Sequence, residues 1–287
     1  MRGRKKISPK NRKGQAVWRG KERCMPALIV LLVLLQSACT GAPGSKGELE
    51  TGHWSYTGDT GPDYWHRLDR EYTLAKEGKA QSPVDVVSAD LVPASETAGE
   101  EALGKLEFHY RETGFRVENN GHTIELIPAD QGNYVTIDNN PYTLEQMHFH
   151  LPSEHTVDGS GYAMEAHLVH KDSEGKIAVL GILLVPGQEN PALKELFIKL
   201  PREPAGETAG LSLDRPVNPA DLFPSSRELY RYDGSLTTPP CTEGVSWSIF
   251  TRPVELSNAQ ISAFRALYSG NARPVQKLYG RKVYLTE

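Results

Sequence analysis

The chain has 287 residues, 38% of them hydrophobic and 24% charged, with a formal net charge of −4 and three cysteines. That length can bury a sizeable core, and the composition is too apolar for a disordered chain and too irregular for a fibre or coiled coil. Ten of the 32 Lys and Arg fall in residues 1–23 beside one acid, Glu22, so the rest of the chain is strongly acidic; this excludes a nucleic-acid binder, which needs a basic face.

In chain order, the basic stretch leads into nine apolar residues at 27–35, then Gln36-Ser37-Ala38-Cys39. Nine residues are too few to span a bilayer. A basic head, a short apolar centre and small residues after it read as an export signal over 1–38. Cys39 resembles the lipidated cysteine of a bacterial lipobox, although Leu35 stands four residues before it where that motif places Leu three before. The expectation is a periplasmic or outer-membrane lipoprotein, with a soluble secreted form as the alternative. Residues 39–50 have the small, polar composition of a linker, and one folded domain is expected over 51–287.

Within it, short β-like runs at 106–110, 115–118, 123–127, 134–137, 146–150, 163–170, 177–184 and 245–251 are separated by turn residues such as Asn119-Asn120-Gly121 and Asp138-Asn139-Asn140-Pro141. Helical periodicity is confined to 190–200 and 258–268, the second with Ser257 or Asn258 as N-cap. The pattern predicts one mainly-β domain with a few short peripheral helices.

With only Cys24, Cys39 and Cys241 in the chain, a zinc site built on a cysteine cluster is excluded, and a metal must be held by His or carboxylates. The segment from Gln146 through His148 and His150 to Ser153-Glu154-His155 supplies such groups. On a strand, residues two apart share a face, so Gln146, His148 and His150 point the same way. The segment Glu165-Ala166-His167-Leu168-Val169 repeats the arrangement, and the turn Asp158-Gly159-Ser160-Gly161 lets the two run antiparallel. Three imidazoles with one position left open describe a catalytic zinc site rather than a structural one. Gln146 and Glu165, each two residues before a histidine on its own face, can accept the outer ring N–H and set the tautomer. His155 and His170 lie at the other parity or past the turn and are read as buried, hydrogen-bonded imidazoles.

Together these segments resemble the α-class carbonic anhydrases of exported bacterial type. The resemblance runs from His53-Trp54-Ser55-Tyr56 and Gly61-Pro62-Asp63-Tyr64-Trp65 through Gln81-Ser82-Pro83-Val84-Asp85, Asn120-Gly121-His122 and the histidine segments to Gly234-Ser235-Leu236-Thr237-Thr238-Pro239-Pro240 and Asn271-Ala272-Arg273-Pro274-Val275-Gln276. It implies a large twisted, mostly antiparallel central sheet, and zinc bound by His148, His150 and His167. Gln146, Glu165 and the Asn271 backbone would orient the ligands, and Thr237 would hand its proton to Glu154. His122 would shuttle protons, with Tyr56 and Asn120 ordering the connecting water. Val169, Val179, Leu236 and Trp247, with Ile177 and Val245, would wall the carbon dioxide pocket beside Thr238. The implied reaction is reversible hydration of CO2 to bicarbonate and a proton by zinc-bound hydroxide. The partners would be these small molecules, with membrane contact only through lipid at Cys39. All three histidines are present, unlike in catalytically silent relatives, and no Gly-x-Ser-x-Gly elbow marks a dedicated esterase.

One departure stands out. Exported relatives often pair a cysteine at the position of Ala75 with one at Cys241, and here Ala75 leaves Cys241 without that partner. A staple usually worth roughly 2–4 kcal/mol is missing, and Cys241 is either free or available to bridge a homodimer.

Overall fold

The computed structural model describes residues 52–93, 103–204 and 210–286. The expected export signal, the linker and Cys39 lie outside them. The body is one mixed sheet with strands β1 (Phe115–Asn119), β2 (Ile124–Pro128), β3 (Asn140–His150), β4 (Met164–Lys171), β5 (Ile177–Pro186), β6 (Leu229–Ser235), β7 (Glu243–Phe250) and β8 (Tyr284–Thr286). They lie in the order β1-β2-β3-β4-β5-β7-β6-β8, with short strands at both ends. Most neighbours are antiparallel, and β5 and β7 run parallel. Helices α1 (Trp65–Leu68), α2 (Leu74–Glu77), α3 (Lys194–Ile198) and α4 (Asn258–Arg265) are short, as expected.

Local chemistry accounts for most boundaries. Asp138 and Asn139 both adopt positive φ, 51° and 64°, which suits the two-residue hairpin turn joining the strand Tyr134–Ile137 to β3. β3 therefore starts at Asn140, well before the expected 146. Helix α4 is capped by Ser257, whose hydroxyl accepts from Gln260 N–H while the Gln260 side chain accepts from Ser257 N–H. Strand β6 was not expected, because Arg231 and Asp233 break its apolar alternation. Arg231 is nonetheless buried, donating to the Gly104 and Leu103 carbonyls and to Ser248 Oγ. The helix expected over 190–200 shrinks to Lys194–Ile198, since Asn190 folds back to accept from Ala192 and Leu193 N–H.

The sheet separates two apolar clusters. Met147 and Phe149 of β3 and Ala166 and Leu168 of β4 face the larger one, with Phe250 and Phe264. Val179, Leu183, Val245, Trp247 and Ile249 form the smaller one on the other face. The alternation that sends Met147 and Phe149 into the large core turns Gln146, His148 and His150 to the opposite side.

Candidate metal centre

The register of β3 against β4 sets His148 opposite His167 and His150 opposite Glu165. The three imidazoles converge, with ring centroids 4.9, 5.1 and 4.6 Å apart. Each is anchored from outside. His148 Nδ1–H donates to Gln146 Oε1 at 2.8 Å, His150 Nδ1–H to the Asn271 carbonyl at 2.7 Å, and His167 Nε2–H to Glu165 Oε1 at 2.8 Å. These bonds fix the tautomers, so His148 Nε2, His150 Nε2 and His167 Nδ1 present lone pairs to one another.

His148 Nε2 and His167 Nδ1 lie 3.3 Å apart with no proton between them. Two lone pairs at that distance repel, and a cation relieves the repulsion. The separation also matches the edge of a tetrahedron with bonds of about 2.0–2.1 Å, the usual Zn–N length. His150 Nε2 is buried and has no hydrogen-bond partner. Burial holds all three rings below the ordinary histidine pKa, His150 at about 4, which keeps them neutral as metal ligation requires. The donor set fits a zinc ion.

Glu154 sits behind this cluster at 2% exposure. Its Oε1 accepts Arg273 N–H at 2.9 Å, and its Oε2 lies 3.5 Å from His150 Nε2 and 4.0 Å from His167 Nδ1. Burial pushes its carboxyl up to about 7, against the pull of His167, the Arg273 N–H and the neighbouring Thr237 hydroxyl. A dication held by the three imidazoles would favour its carboxylate form. Thr237 rides a tight loop after β6, held by Leu236 N–H to Thr242 O and Cys241 N–H to Thr238 O; Thr238 is half-buried on the same loop. Val169, Ile177, Val179, Leu236, Val245 and Trp247 all belong to the smaller apolar cluster, and the Trp247 ring lies 4.9 Å from that of His167.

His122 stacks on the Trp54 indole at 3.7 Å, and Tyr56 packs edge-on against Trp54 and Trp65. His122, Tyr56, His53 and Asn271 line one cavity. Asn120 is engaged in the turn itself, accepting from His122 and Thr123 N–H and donating to Glu125 Oε2. Burial, then the neighbouring His53, lowers the His122 pKa.

Glu165 does more than its sequence position announces. Besides His167 it accepts from His155 Nδ1–H, Glu154 N–H and His155 N–H. His155 Nε2 is 2.7 Å from the Tyr232 hydroxyl, which lies 2.8 Å from Ser82 Oγ. His170 is bonded to the Tyr110 hydroxyl and the Ala178 carbonyl. Both imidazoles are buried and bonded, as read. Tyr232 carried no signal in the sequence beyond its place in an unrecognised strand.

A family model described as "Eukaryotic-type carbonic anhydrase" matches residues 60–287. The chain belongs to that family. A carbonic anhydrase of Neisseria gonorrhoeae is 39% identical over 263 residues, covering 91% of this chain and 97% of the relative. One of Klebsiella pneumoniae is 40% identical over 233 residues, covering 80% and 90%. The α-carbonic anhydrase of Thermovibrio ammonificans, solved with the inhibitor sulfanilamide, superposes with a TM-score of 0.74 at 44% identity, covering 81% of this chain and 98% of that one. The family is zinc-dependent, in keeping with the His148, His150 and His167 cluster. Among the described residues no helix is long and apolar enough to cross a membrane.

Relative to that family frame, Cys241 is free and 0% exposed, and burial pushes its thiol up to about 11. A protonated, enclosed sulfur is a poor partner for a second chain. Non-reducing electrophoresis of the native protein is expected to show a monomer band, unchanged in Cys241→Ser; a dimer band lost only in the variant would contradict this.

Proposed function

We propose that the protein catalyses the reversible hydration of CO2 to bicarbonate and a proton, with Zn2+ held by His148, His150 and His167. The observation that carries this reading is the set of inward lone pairs beside an apolar wall. When bound, Zn2+ lowers the pKa of a water to about 7 and so supplies a nucleophile at neutral pH.

The residues around the site then have separate tasks. Gln146, Glu165 and the Asn271 carbonyl hold the ligand tautomers. Thr237 donates its hydroxyl proton to Glu154, which leaves the Thr237 oxygen to accept from water in the cavity and turn that water's lone pair towards the wall. Val169, Val179, Leu236 and Trp247 offer an uncharged surface to an uncharged substrate, and Thr238 offers a hydroxyl beside them. His122 carries the released proton outward, since an imidazole exchanges its proton near neutral pH and burial, by lowering this one's pKa, favours release to buffer. Tyr56, whose hydroxyl burial and then Glu154 push well above its ordinary pKa, stays protonated and orders water between, while Asn120 shapes the turn that presents His122.

Stopped-flow CO2 hydration before and after chelation tests the reading. Chelator-sensitive activity restored by zinc supports it; one zinc per chain without hydration would overturn it. For the shuttle, His122→Ala is expected to lower kcat in weak buffer by about 10²-fold, the low side of what a positioned proton-transfer group contributes. Added imidazole should restore kcat, and kcat/KM should stay unchanged. Failure of the rescue would remove His122 from this role.

We read the enzyme as exported, with 1–38 as its signal, 51–287 as its catalytic domain and Cys39 as its lipid attachment point. The support is the ten basic residues ahead of the apolar run at 27–35.

A further inference from the structure

We propose that Arg273 is a positioning residue that holds both halves of the Thr237–Glu154 pair in place and, through Asn271, steadies His150. The proposal rests on the zinc and hydration reading above.

The segment between α4 and β8 is irregular, yet it reaches the site twice through its backbone. The Asn271 carbonyl accepts from His150 Nδ1–H, and two residues later the Arg273 N–H donates to Glu154 Oε1. No strand ladder fixes these two groups; beside them stand one backbone bond, from Asn271 N–H to the Leu151 carbonyl at 3.3 Å, and the isolated bridge between Val84 and Gln276. Side chains do the rest. Asn271 grips β3, donating to the Phe149 carbonyl at 2.9 Å and accepting from Leu151 N–H at 2.8 Å.

Arg273 pulls the other way. Its guanidinium, in a side chain only 2% exposed, donates to Gln81 Oε1 at 2.9 Å, the Ser82 carbonyl at 2.7 Å and the Ala75 carbonyl at 2.9 Å, and lies over the Trp65 ring. No carboxylate pairs with it among the described residues. A buried cation held by neutral acceptors is costly, and its fixed fork matches this set of acceptors where an ammonium cannot.

Gln81 extends the reach. With Oε1 taken by Arg273, its Nε2 donates to the Cys241 carbonyl at 3.0 Å and to Glu243 Oε1 at 3.1 Å. Cys241 closes the loop that carries Thr237 and adopts a left-handed φ of 59°, a conformation a non-glycine residue holds only when its surroundings impose it. Arg273 thus touches Glu154 through its own backbone and the Thr237 loop through Gln81. In a chain that has no disulfide at Cys241, these hydrogen bonds join the segment around Ala75 to that loop.

The test compares Arg273→Lys and Gln81→Met with the native protein, following zinc release into excess chelator, the pH profile of kcat/KM and the melting temperature. Arg273→Lys is expected to speed zinc release and to lower kcat/KM, each by about tenfold to about 10²-fold, the usual effect of removing support from a ligating residue. Gln81→Met, which cuts the link to the Thr237 loop while leaving Arg273 its bonds to the Ser82 and Ala75 carbonyls, is expected to lower kcat/KM and leave zinc release within about twofold of native. Both variants should move the pH midpoint of kcat/KM. A lower melting temperature with native zinc release and a native pH profile in Arg273→Lys would make the residue a plain structural anchor and overturn the proposal. If Arg273→Lys does not fold, a native kcat/KM and pH midpoint in Gln81→Met overturns it equally. If the native protein holds zinc without hydrating CO2, the functional reading fails, and zinc release still decides whether Arg273 steadies His150.

Discussion

His148→Ala is expected to abolish stoichiometric zinc binding and to reduce CO2 hydration by several orders of magnitude. The side chain is one of three inward nitrogens, and its loss leaves two, too few to hold the ion against water. Without the metal the attacking water reverts from a pKa of about 7 to about 15.7, so hydroxide at the site vanishes at neutral pH. Fold stability should change little in the metal-free protein, because His148 is half-buried and stands outside both apolar clusters. The native protein should gain about 4 kcal/mol when free zinc exceeds its dissociation constant a thousandfold. The variant should show no such gain. Zinc content per chain, stopped-flow turnover and melting with and without zinc are the measurements. A variant that retained one zinc and native turnover would dismantle the assignment.

Glu165→Gln is expected to be the most damaging single substitution for stability, at about 3–5 kcal/mol, because two of the four N–H groups lose a buried charged acceptor. Glu165 is 0% exposed and accepts four N–H groups, from His167, His155 twice and Glu154. An amide can accept on one side only, so in either orientation its NH2 faces donors, and each bond lost to a charged acceptor is worth about 1.5–3 kcal/mol. Burial would raise the Glu165 carboxyl, but His155 and His167 overcome that and hold it well below the ordinary carboxylate range. A depressed folded-state pKa gives stability that is present above the unfolded value, about 4.3, and lost as pH falls towards the folded value. The gap between native and variant in urea unfolding should therefore be full at pH 7 and narrow below about pH 4. A gap independent of pH would show that the carboxylate charge is not what stabilises this cluster. Loss of the His167 tautomer lock should also weaken zinc binding by about 10- to 100-fold.

These expectations rest on features of unequal visibility in the sequence. The alternation Gln146-x-His148-x-His150 and Glu165-x-His167-x-Val169 was legible because side chains on a strand alternate with period two, whatever the strand pairs with. The turn at 158–161 allowed the two to run antiparallel, as they do, and the register then set His148 opposite His167. Hairpin residues at 138–139 and a cap at Ser257 or Asn258 were legible for the same local reason, and folding selected Ser257.

Long-range pairing was not. Strand β6 was hidden by Arg231 and Asp233, because its burial comes from β7 beside it and from carbonyls more than 100 residues away. The parallel pairing of β5 with β7 has no local signature. The second task of Glu165 depends on His155 folding back across ten residues, and the anchoring of His150 depends on a carbonyl 121 residues distant. By itself the sequence determined the donor set, the face each donor occupies and, through its resemblance, the family. The tertiary structure alone decided which outer partner each imidazole has, how near the ligating nitrogens come and what holds Glu154. Those depend on backbone groups, which every residue carries alike, and only folding selects which of them meet.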